Sequence, residues 1–382
     1  MRLKYFQTDV IHSLLNLPGW HTKKKIMAIV SDDWGSIRTP SLQVLEELRR
    51  YRGSESLSPY LKNDSLETKE DLQSLFEVLL SITDNNGNHP VITANTVMVN
   101  PDFDKIKSCD YKEYYYELFT DTYKKDTNRK DLLNFWKEGI DKNIFFPQFH
   151  GREHLNVIRW LAALQMGEEP MLTLFKYGMF DLSTENTSIV DSYMCNLNLS
   201  KNGELPFLQE SLIDGLRIFR EIFGFKSRTF IAPSYVWSEN VEQTLYEHGV
   251  FGIQSNWFQL IPSATSSKKR FKKRFHYTGQ SNSLGQVYLV RNAHFEPCMR
   301  PNFDFRSDVL RRARIVFAVG KPLILSAHRL NFIGSISKKN QLENLKLLKH
   351  LLSDIKHQWP DIEFVNIAHL FALIQGNNTK YS

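Results

Sequence analysis

Ser31-Asp32-Asp33 follows directly on an apolar, strand-like run over residues 26–30, and two histidines four apart, His150 and His154, follow on another over residues 144–149. Adjacent carboxylates repel each other, and each is costly to bury unless a cation or strong hydrogen bonds compensate. A divalent metal supplies that compensation. A catalytic zinc takes three protein ligands from His, Asp or Glu and keeps a fourth position for water, and Asp33, His150 and His154 make up such a set. At a strand end, the turn lets one aspartate bind the ion while the other faces the reacting water. The histidine spacing, where strand gives way to helix, places His154 about one turn beyond His150, so that both can face one ion. No other pair of histidines in the chain has this spacing.

Three more polar groups sit just past apolar runs. Pro233-Ser234-Tyr235 follows residues 228–232, the stretch 291–297 with Arg291, His294 and Glu296 follows residues 287–290, and His328 follows residues 322–325. In an α/β fold, residues past the C-terminal ends of parallel strands converge on one face, where such folds place their chemistry. The elements needed to bring them together are legible. Helices are expected over residues 41–51, 69–82, 111–119, 130–139, 154–164, 209–223, 239–248, 307–319 and 340–355, with a closing helix after residue 365. Further strands are expected at 91–99, 251–254 and 363–365. About eight strands alternating with helices predict parallel pairing in a barrel, although an open sheet has the same alternation. Residues 167–205 and 262–285 fit no strand–helix unit and read as excursions, the first able to cover the site.

The chain has 382 residues, 42% hydrophobic and 24% charged, enough to bury a large core. No apolar stretch approaches the roughly 20 residues of a membrane helix. Residues 1–20 mix Gln7, Asp9 and His12 into their apolar positions and lack the centre of a secretory signal, so an amphipathic segment and a cytoplasmic chain are expected. Cys109, Cys195 and Cys298 are odd in number and far apart, which argues for a reducing compartment and against zinc held by thiolates. The net charge of +6 comes largely from clusters, Lys23-Lys24-Lys25 and residues 268–274 (KKRFKKR). Such a cluster reads as a solvated loop or as a contact for an anionic glycan, a lipid surface or a nucleic acid. For the chain as a whole, no nucleic-acid partner is expected.

In their order along the chain, these motifs resemble the polysaccharide deacetylase superfamily, carbohydrate esterase family 4, as a divergent member. Val30-Ser31-Asp32-Asp33-Trp34-Gly35 is similar to the first motif of that family, residues 150–154 to its second, residues 230–235 to its third and Leu325-Ser326-Ala327-His328 to its last. The resemblance implies a distorted (β/α) barrel of about seven to eight parallel strands, one domain over residues 1–382. It implies Asp32 as catalytic base, His328 as general acid, Asp33, His150 and His154 as ligands of a divalent metal, Zn2+ by expectation, and a backbone N–H at Tyr235 for the oxyanion. Four features depart from the family pattern. Trp34 precedes the glycine, Gly151 follows the first histidine, the third motif has no arginine, and residues 291–297 lack the aspartate of the usual fourth motif.

The implied reaction is removal of an N-acetyl or O-acetyl group from a sugar of a surface polysaccharide or its precursor, with an acetylated carbohydrate as partner. Trp34, Tyr235 and Trp237 read either as platforms for sugar rings or as packing. Arg291 and Glu296 read as substrate contacts or a structural ion pair. Three other readings stay open: a hydrolase of another C–N bond, a metal-free glycosidase built on a carboxylate pair, and a non-catalytic carbohydrate-binding barrel.

Overall fold

Strand pairing in this computed structural model, which describes residues 2–53, 57–181, 183, 187, 192–199, 202–262 and 271–377, is almost wholly parallel in the central sheet. The strands Leu323–His328, Ile26–Trp34, Ile92–Thr96, Phe145–Phe149, Thr229–Ile231, Gly252–Ser255 and Val287–Val290 lie side by side in that order, each adjacent pair parallel. Past Arg291 and Asn292 the last of these continues as Ala293–His294, which pairs with Leu323–His328 at the opposite edge. One chain pass therefore serves both ends of the sheet and closes it into a distorted barrel. The short strand Glu363–Phe364 adds to the start of Ile26–Trp34.

Period-two alternation decides what faces inward. Ile26, Ala28 and Val30 join Val287, Leu289 and Ile324 in an apolar cluster that the closing helix, Ile367–Ile374, caps with Ile367, Leu370 and Phe371. The same inward rows become polar two residues further on, at Asp32, Arg291, Ser326 and His328. Asn95, Gln148 and Gln254 are inward polar residues of the neighbouring strands, all buried. Alternate positions such as Met27, Ile29 and Leu325 face outward into a larger core shared with Lys69–Leu80, Leu132–Asp141 and Lys338–Gln358. The helix Lys69–Leu80 begins where the sequence predicts, with Thr68 and Asp71 forming a reciprocal capping box.

Several elements differ from expectation. The helix expected over 111–119 is absent up to its last residue, where Phe119–Lys124 begins; the tyrosine-rich stretch before it supplies the strand Tyr116–Leu118, antiparallel to Val99–Pro101, so the strand expected over 91–99 divides in two. Aromatic density favours the pleated surface. The first excursion contains the helix Glu169–Lys176, which buries Met171, Leu174 and Phe175. The second contains Phe271–Phe275, hairpinned onto Phe258–Pro262; its residues 263–270, including Lys268, Lys269 and Arg270 of the basic cluster, lie outside the described residues, as do 182, 184–186, 188–191 and 200–201 of the first excursion. Among the described residues no helix is long and apolar enough to cross a membrane.

Phe145–Phe149 and Thr229–Ile231 share a single register pair, Phe149 with Phe230. Gln148 fills the gap: its amide oxygen accepts from the N–H groups of Arg228 (3.2 Å) and Thr229 (2.9 Å) and from the hydroxyls of Ser227 and Thr229. Replacing it by leucine leaves buried N–H groups without an acceptor, each costing about 1–3 kcal/mol. Gln148→Leu should therefore lower unfolding free energy by about 2–4 kcal/mol in urea titration, and a change below about 0.5 kcal/mol would contradict this account of the barrel wall.

Candidate metal centre

Consecutive residues of a strand point to opposite faces, yet Asp32 and Asp33 both reach the barrel mouth. A bulge makes this possible: Ser31 pairs with Ala94 and Trp34 with Thr96, so one extra residue is inserted, and Asp33 takes a left-handed φ of 76°. Asp32 stays in the inward row, directly opposite His328 in register. Trp34, on the far side of the bulge, turns outward, where its ring packs edge-on against Trp136 and Phe145.

Each aspartate has its own guanidinium. Arg291 donates to both oxygens of Asp32, at 2.6 and 2.7 Å, and Asn95 donates to Oδ1 at 2.7 Å. Burial works against the charge of Asp32, but Arg291 outweighs it and brings the carboxyl down to about 2. Arg38 donates to Asp33 Oδ2 at 3.0 Å. Burial again opposes the charge, and Arg38 and then His154 hold Asp33 well below the usual carboxylate range.

That arrangement leaves Asp33 Oδ1 facing two imidazoles, with Nε2 of His150 and Nε2 of His154 each 3.4 Å away. His150 Nδ1 donates to the Ile231 carbonyl at 2.9 Å, which fixes the tautomer and turns the lone pair of Nε2 toward Asp33; Nε2 has no hydrogen-bond partner. Metal-binding histidines are commonly oriented in this way. Burial, opposed in part by Asp33, brings His154 down to about 3, so its ring is neutral and able to coordinate at pH 7. Ligand atoms of Asp33, His150 and His154 all lie within 4.8 Å of one another, and the three side chains are buried. The residues fit a divalent ion: two imidazoles and one carboxylate, with an orphaned ring nitrogen aimed at the carboxylate.

The two histidines do not converge through a helical turn. The expected helix at His154 starts only at Val157, with Asn156 as its cap, and residues 151–153 form a loop bent at Gly151, whose φ is 106°. Met98 N–H donates to the carbonyl of Arg152 at 2.9 Å, and Asn196 donates to that of Glu153 at 2.6 Å. The loop is thus held by the barrel rim on one side and the first excursion on the other. A Cβ at residue 151 would stand 3.1 Å from the Glu153 carbonyl oxygen, and φ is unfavourable for any L side chain.

His328 lies 3.9 Å from Asp32, Nε2 to Oδ2, and its Nδ1 donates to Glu296 Oε1 at 2.7 Å. Burial alone would lower it, but the Glu296 carboxylate overrides burial and pushes the imidazole up to about 9. Glu296 is held in turn by Asn331, which donates to Oε2 at 2.7 Å. The expectation of Arg291 and Glu296 as substrate contacts is therefore corrected: both are occupied behind Asp32 and His328, and Arg291 is fully buried. Trp34 and Trp237 are likewise core residues, Trp237 donating through Nε1 to Glu242, because each ring has an apolar slot and a buried acceptor. His294 sits away from the mouth, brought down to about 4 by burial and then by Arg312.

Tyr235 does line the cleft, a space of about 590 Å³ over the aspartates and the three histidines. Its backbone N–H, however, donates to the Ala232 carbonyl at 3.1 Å and is committed to a tight turn in which Ser234 and Tyr235 both have φ of 56°. The oxyanion donor expected there is not free. Sequence reading missed Asn95 and Gln254 in the barrel floor, and Arg38, Tyr60 and Asp181 in the cleft wall. A signal existed for the first two: each is the lone amide in an otherwise apolar or small strand.

No family model matches the chain, and no curated protein matches it in sequence. Solved structures similar to it include a Mycobacterium smegmatis protein described as a polysaccharide deacetylase (9% identity, 96% of each chain covered, TM-score 0.44). The allantoinase PuuE (11%, 96% of each chain, 0.45) is another. A third is a CE4 family pseudoenzyme from Bacillus anthracis (11%, 94% of this chain and 68% of that one, 0.39). At these identities and scores the site is read from its own residues alone.

Purified chain should carry a divalent ion close to one per molecule, measured by elemental analysis, and Asp33→Ala or His154→Ala should carry little. Equal metal in all three proteins would remove the centre.

Proposed function

We propose that this chain is a metal-dependent hydrolase that removes an acetyl group, an N-acetyl by preference, from a sugar of a surface polysaccharide or its precursor. The observation that carries the reading is the convergence, in one cleft, of a two-histidine, one-carboxylate centre with a separate anionic carboxylate and a separate cationic imidazole. A bound divalent ion, with Zn2+ as the best fit to these ligands, supplies Lewis acidity there, lowering the pKa of a water and polarising an acyl oxygen.

The residues divide the remaining work. Asp32 is ionised throughout the physiological range and takes the proton of the attacking water; Arg291 and Asn95 fix where it points rather than strengthen it as a base. His328, held protonated by Glu296, stands opposite and delivers a proton to the departing amine. Base and acid are thus set apart by their environments: a guanidinium lowers one and a carboxylate raises the other. Tyr60 and Tyr235 line the cleft and offer aromatic faces to a sugar ring.

Acetate release from N-acetylated and O-acetylated sugar oligomers tests the reading directly. Activity should vanish with a chelator and return with Zn2+, and Asp32→Asn should lower kcat by about a hundredfold or more. Chelator-insensitive turnover would favour a glycosidase, and glycan binding without any turnover a binding barrel.

The pH profile tests the acid separately. A proton donor fails as pH rises through its pKa, so activity should hold on the alkaline side until the region set by Glu296 and His328. Glu296→Gln removes the charge that raises His328, and the alkaline limb should move down by about one unit or more; an unmoved limb would assign the proton to another group.

A further inference from the structure

Acyl transfer puts negative charge on the acyl oxygen, here beside two carboxylates that are both held ionised, so donors aimed at that oxygen matter more than usual. The Tyr235 N–H is engaged with the Ala232 carbonyl. Other polar groups of the cleft are engaged as well. Arg38 is shared among Asp33, Asp64 and Asp181. The Tyr235 hydroxyl accepts from Arg291 at 3.3 Å, and Ser58 Oγ accepts from the Leu61 N–H at 3.3 Å as a helix cap.

Tyr60 differs from all of these. Its ring stands at right angles to that of His328, centroids 5.4 Å apart, and the Arg38 guanidinium lies over it at 5.1 Å. His328 is 3.9 Å from Asp32, and Arg38 is 3.0 Å from Asp33, so the ring sits between the partners of the two aspartates and lines the same cleft. Its hydroxyl makes no hydrogen bond to any described residue. Burial, followed by the charges of Asp33 and Glu296, holds the phenol well above the ordinary tyrosine value, and it keeps its proton.

The backbone beneath the ring is fixed. Tyr60 belongs to the short helix Pro59–Asn63; its carbonyl accepts from the Asp64 N–H at 2.8 Å, and the Leu61 carbonyl accepts from Thr39 Oγ1 at 2.8 Å. Asp64 is itself paired with the buried Arg329 at 3.0 Å. A donor held in place beforehand needs no reorganisation when the charge appears.

We propose, resting on the deacetylase reading, that the Tyr60 hydroxyl is a catalytic oxyanion donor, hydrogen-bonding the acyl oxygen as it becomes tetrahedral, in place of the Tyr235 N–H. Tyr60 transfers no proton; its bond strengthens as the charge develops and weakens as it leaves.

Tyr60→Phe keeps the ring against His328 and Arg38 and removes only the hydroxyl. Wild type and variant, both loaded with Zn2+, are compared in acetate release and, by calorimetry, in affinity for methylphosphonate, a tetrahedral anion whose binding requires no turnover. The variant should lose about a hundredfold in kcat with KM within about twofold. It should bind methylphosphonate about tenfold more weakly, while metal content, circular dichroism and the alkaline limb set by His328 stay as in wild type. Equal methylphosphonate affinity in the two proteins overturns the proposal, as does unchanged kcat or no methylphosphonate binding to wild type. A shifted alkaline limb also overturns it, by making Tyr60 a positioning residue for His328. Weaker methylphosphonate binding by the variant, with no turnover of any acetylated sugar by wild type, keeps the donor and discards the deacetylase reading.

Discussion

Two neighbouring carboxylates buried in the mouth of a barrel are the constraint around which this molecule is arranged. Removing a charge from water costs several kcal/mol even after relaxation, and an adjacent like charge adds to it. Each aspartate therefore has a guanidinium partner, Arg291 for Asp32 and Arg38 for Asp33. The compensation extends further. Arg38 also meets Asp181 and Asp64, and Arg329, itself fully buried, joins Asp64 to Glu67. Burial nonetheless leaves Asp64 raised to about 6 despite both guanidinium groups. A chain of alternating charges thus runs from the site into the packing beneath the rim.

The two aspartates are compensated differently, and the difference separates their tasks. Arg291 grips Asp32 through both oxygens, fixing its plane and direction. Arg38 takes only one oxygen of Asp33 and leaves the other to His150 and His154. A third pair, Glu296 with His328, is oriented from behind in the same manner. Arg291 and Glu296 both come from the chain pass that closes the barrel or the loop just after it. The segment that completes the sheet therefore also supplies the groups that set the charges of Asp32 and His328.

Barrel closure supplies the partners of both groups. Asp32 has a guanidinium partner because Arg291, from another strand, crosses the barrel floor to reach it. Glu296, from the loop just after that strand, reaches His328 in turn. Chemical roles here follow position in space rather than position in the chain.

Local pattern in the sequence determined the strand runs, the helices between them, and the polar residues at the strand ends, because period-two and period-3.6 burial are written in neighbouring residues. It was enough to single out Asp32, Asp33, His150, His154 and His328 together. It did not determine which aromatic or charged neighbours face the cleft: Trp34 is turned into the core by a one-residue bulge, and Trp237 by a buried Glu242 acceptor. Nor did it reveal Arg38, Asn95 or Asp181, or that the Tyr235 N–H is already engaged. Some of those outcomes turn on local backbone geometry that residue types alone do not encode, such as the bulge at Asp33 and the Tyr235 N–H bonded to the Ala232 carbonyl; the others depend on contacts between residues tens to hundreds of positions apart, such as Asn95 and Arg291 with Asp32 or Asp181 with Arg38, and only closure of the barrel brings such partners within reach.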